Sequence, residues 1–463
     1  MPERMLFNAF HMFAVSHHAQ GLWAEPDSRQ LGYTDPSTWL DLARTLERGR
    51  FDTLFFADVL APYETYRGSR DAAVREGMQF PTGDPSVLIP LLAYHTEHLG
   101  YTFTQNILQE HPYPFARKVS TLDHLTGGRV AWNIVTSFLP GAGRNLGYGG
   151  LPGHEERYGR AEDFTQAALK LWLHSWEDGA VLRDRVRREF ADPAKVHAVV
   201  HNGPYYQLDG PHLSEPSPQR VPVLFNAGVS PAGRAFAGRH AECLFINSQD
   251  PAEAAPIVAD VRRAAAAAGR NPAHVKVFVP QSYLLAGTEA EARRRHAELL
   301  EHQTVEGNLA RASVFAGHDF GLDDPDALVG DLRGREVSEP VRKLLATTTR
   351  DDWTLGELIL SRTNNRVVGR PEQIVENIAR WRDAGVDGIN LEYVISPTSF
   401  TEFVDHVVPL LQARGLMQRE YRPGTLREKL FPGAGPVPPR DHPAWALRPR
   451  CGPASGRRDP GRR

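Results

Sequence analysis

The chain is poor in the features that most quickly assign a protein to a class. Only two cysteines, Cys243 and Cys451, occur in 463 residues. They are too few for a disulfide framework and lack CxxC spacing, so a reduced, cytoplasmic protein is expected. No apolar run is long enough to span a bilayer. The short apolar start is interrupted by His11, His17 and His18, unlike the core of a secretory signal. Net charge is only −3, with no basic stripe, which argues against nucleic acid as a partner. Neither GxGxxG after the first strand nor GxxxxGK[ST] is present, so a Rossmann site and a P-loop are both unsupported. HExxH is missing too, and His17 and His18 are adjacent instead of spaced as HxH, so no metal site is expected.

Charge is spread unevenly. Residues 433–463 hold seven arginines, two aspartates and seven prolines, and are expected to form a disordered tail after a folded body spanning 1–432. Within that body the stretch from Phe115 to Phe164 organises the rest. Its residues predict a helix to about Leu125, a stop at Gly127 and Gly128, an apolar strand from Arg129 to Val135, and a second helix from about Glu156. The strand ends in polar residues, among them Thr136 and Ser137. In a strand-then-helix barrel that end is the ligand face.

The same rhythm runs through the chain. Apolar strands are expected at 5–10, 51–57, 101–108, 129–135, 221–228, 242–247, 275–285 and 388–394, each followed by a helix. Eight such units with right-handed crossovers predict an α/β protein, a closed (β/α)₈ TIM barrel, with an open doubly wound sheet as the alternative. Two excursions break the rhythm, at about 176–220 and 303–366. Both are expected as long insertions over the C-terminal face, acting as lids.

Several positions could carry chemistry. FNAGVSPAG joins a strand to a helix through Ala227, Gly228 and Ser230, and free amides at a helix start bind phosphate well. A plain helix cap at Ser230 explains the motif equally. Asp58, Thr104 and Asn106 fall at strand ends. Tyr63 and Gln79 lie in the long loop 59–84, where packing is the simpler explanation for both. Phe10, Phe13, Trp23, Phe55, Phe56 and Phe138 read as core or, together, as an apolar mouth.

Ordered blocks along the chain point further. They include SHHAQGLW, FDTLFFADV with YETYRGSRD, HPYPFARKVSTLDHLTGGRVAWNIVTS, HEERYGRAEDF, SEPSPQRVPVLFNAGVSPAGRAFAGRHAE, GVDGINLEYV and YRPGTLREKLF. With them the chain resembles the luciferase-like flavin-dependent monooxygenases, in the branch of the nitrilotriacetate, dimethyl-sulfide and long-chain alkane enzymes. The resemblance implies a TIM barrel that takes reduced FMN (FMNH2) from a separate NAD(P)H:flavin reductase. It further implies O2 as co-substrate, a C4a-(hydro)peroxyflavin that oxygenates a small molecule, and a homodimer or homotetramer. Carried over by position, it implies flavin contacts at Asp58, Thr104, Asn106, Ser137, His154 and Tyr158, and a phosphate loop at Ala227, Gly228 and Ser230. His17, Tyr63 and Gln79 become the candidates for hydrogen-bonding the reacting groups. Ala14, Phe138 and Arg311 depart from the Cys, His and His expected in the alkane branch, and Arg311 could meet an acidic substrate group. An F420-dependent oxidoreductase and a flavin-binding protein without turnover are the competing readings.

Overall fold

The computed structural model describes residues 4–228, 230–363 and 366–447. Eight strands form its centre: β1 (Leu6–Met12), β2 (Thr53–Ala57), β3 (Gly100–Asn106), β4 (Val130–Val135), β5 (Val223–Asn226), β6 (Cys243–Phe245), β7 (Lys276–Leu285) and β8 (Gly388–Glu392). Each pairs in parallel with the next, and β8 pairs with β1, so the sheet is a closed barrel and the open doubly wound alternative falls. A short strand, Val367–Gly369, extends the end of β7.

Strand alternation sorts the side chains into two sets. Phe7, Leu54, Phe56, Tyr101, Phe103, Trp132 and Ile134 join the core shared with the surrounding helices. Leu6, Phe10, Phe55, Ala131, Phe225, Cys243 and Phe278 fill the interior. Polar atoms inside are satisfied across strands: Asn8 Nδ2 donates to Asn390 Oδ1 at 2.8 Å and Thr53 Oγ1 to Asn8 Oδ1 at 2.8 Å. Leu426, Leu430 and Phe431 belong to the same interior cluster and plug the N-terminal end. Beside them the buried Arg427 clamps Glu242 through Nε at 2.6 Å and Nη2 at 2.8 Å. With that end closed, the strands open towards their C-terminal ends.

The helices begin where the sequence signals them. Asp35, Asp84 and Ser230 cap Pro36–Arg48, Pro85–Tyr94 and Pro231–His240, each with proline at the start. The helix expected from Glu156 starts two residues earlier, at His154.

The two excursions differ. Residues 176–220 form two small antiparallel pairs, Val181–Asp184 with Glu189–Ala191 and Val199–Asn202 with Gln207–Gly210. They pack on the outside of the barrel against Pro112–Leu125 and His154–His174. The buried Asp163 accepts from the Tyr205 and Tyr206 amides, both at 2.8 Å, and contacts His201 Nε2 at 2.7 Å. By contrast, residues 303–366 supply the helices Val305–Ala316, Val329–Arg333, Glu339–Leu345 and Leu355–Thr363. They build a second core with Tyr63, Tyr66, Ala73 and Met78 of the loop after β2. Part of the tail expected to be disordered is packed: Ala444 is buried, and His442 Nε2 lies 3.0 Å from the His240 carbonyl. Short apolar and ring contacts, invisible as periodicity, hold it there. Residues 448–463, including Cys451, lie outside the described residues.

Candidate active site

A cavity of about 240 Å³ opens over the ends of β2 to β5. Asp58, Thr104, Asn106, Ser137, Tyr158, Ala227 and Gly228 line it, together with Leu60, Gln109, Phe138 and Asn226. Seven of the nine expected cofactor residues therefore converge on one space. The other two, His154 and Ser230, meet at its rim, with Oγ and Nε2 3.3 Å apart.

The floor is set by strand chemistry. Asn133 Nδ2 donates to Thr104 Oγ1 at 2.9 Å, and Asn106 Oδ1 accepts from the Leu108 amide at 3.0 Å, which turns the chain after β3. Ser137 takes a left-handed backbone at φ 66°, so the chain reverses into the helix Pro140–Asn145 and leaves Phe138 in the wall. At the end of β2, burial and the nearby Asp84 raise the Asp58 carboxyl to about 7, although the Val59 amide donates to it at 2.9 Å.

The strand-to-helix joint forms a tight cradle. Asn226 Oδ1 accepts from the Gly228 amide at 2.9 Å. A Cβ on Gly228 would stand 2.3 Å from the Tyr158 hydroxyl oxygen and 3.0 Å from Gly233 Cα. Ser230 caps the ten-residue helix Pro231–His240 through the Gly233 amide. Two hydroxyls, of Tyr158 and Ser230, and a helix start thus come together at the cavity's edge, an arrangement that suits a phosphate. The Tyr158 hydroxyl is raised by burial, against a lowering hydrogen bond to Ser230, so it remains a neutral donor.

His17, Tyr63 and Gln79 are not in the cavity wall. They lie beyond it, under the helix Val305–Ala316. Gln79 Nε2 donates to the His17 carbonyl at 3.3 Å. Burial, then the His11 and Arg311 charges, hold His17 well below its ordinary range, so its ring is neutral. The Tyr63 hydroxyl is raised to about 12 by burial. Neither His17 Nδ1 nor the Tyr63 hydroxyl has a partner among the described residues. Phe315 of the covering helix stacks on Phe138 of the cavity wall at 5.9 Å and meets Tyr63 behind it edge-on at 6.3 Å.

Sequence reasoning missed Glu392, Arg366 and His18, which gather on the far side of the mouth. Glu392 ends β8, so the rule that singled out Asp58 applied to it equally. Nothing in the local pattern pointed to Arg366, because its neighbourhood is assembled from distant segments.

Comparison with known proteins agrees with this geometry. Residues 8–388 match the profile of the luciferase-like monooxygenases. The long-chain alkane monooxygenase of Geobacillus thermodenitrificans is 42% identical over 97% of this chain and 99% of its own. The dimethyl-sulfide monooxygenase of Hyphomicrobium sulfonivorans is 41% identical over 93% and 91%. The crystal structure of DmoA from Hyphomicrobium sulfonivorans superposes with a TM-score of 0.91 at 40% identity, over 97% of this chain and 96% of that one. A riboflavin lyase solved with modified FMN and riboflavin gives 0.85 at 33% identity, over 96% and 100%. With barrel, cavity and relatives in agreement, the chain belongs to the luciferase-like monooxygenase family and is an enzyme that incorporates oxygen from O2.

Proposed function

We propose that this enzyme is the oxygenase half of a two-component system, using reduced FMN made by a separate NAD(P)H:flavin reductase to oxygenate a small organic substrate. The joint at Gly228 carries the reading: Gly228, Ser230 and Tyr158 meet where β5 gives way to the helix Pro231–His240 beside the cavity, and a helix start with a hydroxyl cap suits a phosphate. The residues present fit the cofactor. Gly228, Ser230 and Tyr158 would hold the phosphate, and Asp58, Thr104, Asn106 and Ser137 would face the ring system. Bound there, reduced FMN supplies the electrons that activate O2.

The chain's own residues do the rest. A protonated Asp58 can donate a hydrogen bond and an ionised one can accept, and both forms are populated near neutral pH. His17 Nδ1 and the Tyr63 hydroxyl are unused buried polar atoms available to the reacting groups. Phe138 and Phe315 stack into an apolar wall at the cavity's edge, which would limit water's access to a reactive species once the site is filled. A homo-oligomer in the cytoplasm completes the proposal.

Anaerobic titration of the full chain with reduced FMN, reduced riboflavin and reduced F420 tests it. Reduced FMN should bind more tightly than riboflavin. Gly228→Ala should weaken FMN by about a hundredfold, roughly 2.7 kcal/mol, because several charge-assisted contacts are lost together. Equal binding of FMN and riboflavin, or binding of F420 alone, would sink the proposal.

A further inference from the structure

The cavity wall contains a polar side chain that the rest of the protein leaves unused. Gln109, three residues beyond β3, lines the cavity. Its Oε1 is buried without a hydrogen-bond partner, and its Nε2 has none either among the described residues. The polar groups around it are committed elsewhere. Gln105 and Lys118 both donate to Glu110 Oε1. Asn106 Oδ1 accepts from the Leu108 amide at 3.0 Å, and the Asn106 carbonyl accepts from the Gln109 amide at 3.1 Å. Asn106 thus uses its side-chain oxygen on the turn that carries Gln109 to the wall.

An idle carboxamide in this place is unfavourable. A buried acceptor without a partner has lost its water and gained nothing in return, and the penalty is relieved when whatever fills the cavity pairs with it. A carboxamide is also selective in what it pairs with. It offers a carbonyl acceptor and an N–H donor side by side in one plane, so its complement is a donor beside an acceptor on a planar edge. Being uncharged, it is a poor match for a phosphate, which calls for cations or helix-start amides. Its position agrees with that division. Gly228 follows β5, two strands round the barrel from β3 with β4 between them. A ligand held by its phosphate at the Gly228 joint therefore presents a different part of itself to Gln109. Leu60 and Phe138 of the same wall offer that part apolar side-chain surface.

We propose that Gln109 recognises the pyrimidine edge of the flavin ring, its Oε1 accepting from the ring imide N–H and its Nε2 donating to an adjacent ring carbonyl oxygen. In oxidised and reduced flavin alike that edge carries an N–H donor flanked by two carbonyl acceptors, which is the complement a carboxamide requires. Gln109 is then a specificity residue for the ring, and Asn106, through the turn it holds, is the residue that positions it. The imide is common to FMN, riboflavin and F420, so this contact is independent of phosphate recognition. The inference rests on the flavin reading for the presence of the ring.

The test is anaerobic titration of the full chain with reduced FMN and with reduced 3-methyl-FMN, in which a methyl group replaces the imide hydrogen. The wild type should bind FMN roughly tenfold or more tightly than the methylated form. In Gln109→Leu, which nearly keeps the size of the side chain and removes its polar atoms, the two flavins should bind within about twofold of each other. Gln109→Glu keeps an acceptor and should keep part of the preference. Gln109 is partly exposed and makes no side-chain hydrogen bond among the described residues, so neither variant threatens the fold. A methyl group that merely collides with the wall penalises wild type and Gln109→Leu alike. An equal ratio in those two proteins therefore overturns the inference, as does a wild type without preference. The wild-type FMN curve separates the two proposals. FMN bound without the methyl effect overturns only this inference, whereas absent FMN affinity overturns the function and this inference with it.

Discussion

The two long excursions look alike in sequence and do opposite things. Both interrupt the strand-helix rhythm with charged, irregular segments. Residues 303–366 lie over the barrel mouth, where Phe315 packs on Phe138 of the cavity wall and Arg311 holds His18. Residues 176–220 lie along the outside, anchored by Asp163, and contribute nothing to the cavity wall among the described residues. A long insertion in a barrel is therefore not a lid by virtue of its length. What matters is where its apolar residues find a surface. Leu309, Ala310 and Phe320 find one in the loop after β2, while Tyr206 packs against Phe164 on an outer helix.

That contrast can be broken in order of expected effect. Asp163→Ala should cost most, about 3 kcal/mol, because it leaves the buried Tyr206 amide, the part-buried Tyr205 amide and His201 without their acceptor. Denaturant unfolding would show the loss, while oxygenation per folded molecule should stay unchanged. A fall in turnover larger than the fall in folded fraction would mean that the outer excursion communicates with the site.

Phe315→Ala acts in the other excursion and should reverse the pattern. The side chain is 62% exposed, so stability should change little. Removing it opens the apolar wall, and product formed per NADH should fall roughly tenfold, about 1.4 kcal/mol. Measured as hydrogen peroxide released against product formed, an unchanged ratio would show that this helix does not exclude water.

Asp58 sharpens the comparison from the cavity side. Its folded-state carboxyl, raised from 3.8 to about 7, favours the protonated form. Stability from this group is complete below pH 4 and is lost as pH rises through 7. Asp58→Asn should therefore gain on the wild type between pH 4 and pH 8 in thermal unfolding. Parallel pH profiles for the two proteins would refute this assignment. The smallest effect belongs to the outer hairpin: Val186→Ser, at a side chain 94% exposed, should shift stability by less than about 0.5 kcal/mol and leave turnover intact.

Much of the barrel was legible before any coordinates. Strand positions could be read because a strand buried on both faces is a short apolar run, and helix starts because Asp35, Asp84 and Ser230 precede prolines. The cavity wall was legible for a related reason. Polar residues at strand ends are adjacent in space once the barrel closes, so Asp58, Thr104, Asn106 and Gly228 converge without further information. Glu392, at the end of β8, obeys the same rule. His17, Tyr63 and Gln79 were placed on resemblance, and in the structure they stand behind the cavity instead of in its wall.

The sequence alone determined what local forces decide: eight strands, their order, the caps, and the glycine where a side chain cannot fit. Tertiary structure decided what depends on contacts between distant segments. Arg311 and His18 are separated by 293 residues along the chain. No periodicity or spacing records such a meeting, since it depends on how a packed insertion lands on a closed barrel. The same holds for residues 433–447, whose few apolar side chains suffice because the outer helices already offer a surface. Burial then sets the electrostatics: a glutamate and an aspartate that would ionise freely on an open chain are held near pH 7 only after the barrel and its covering helices enclose them.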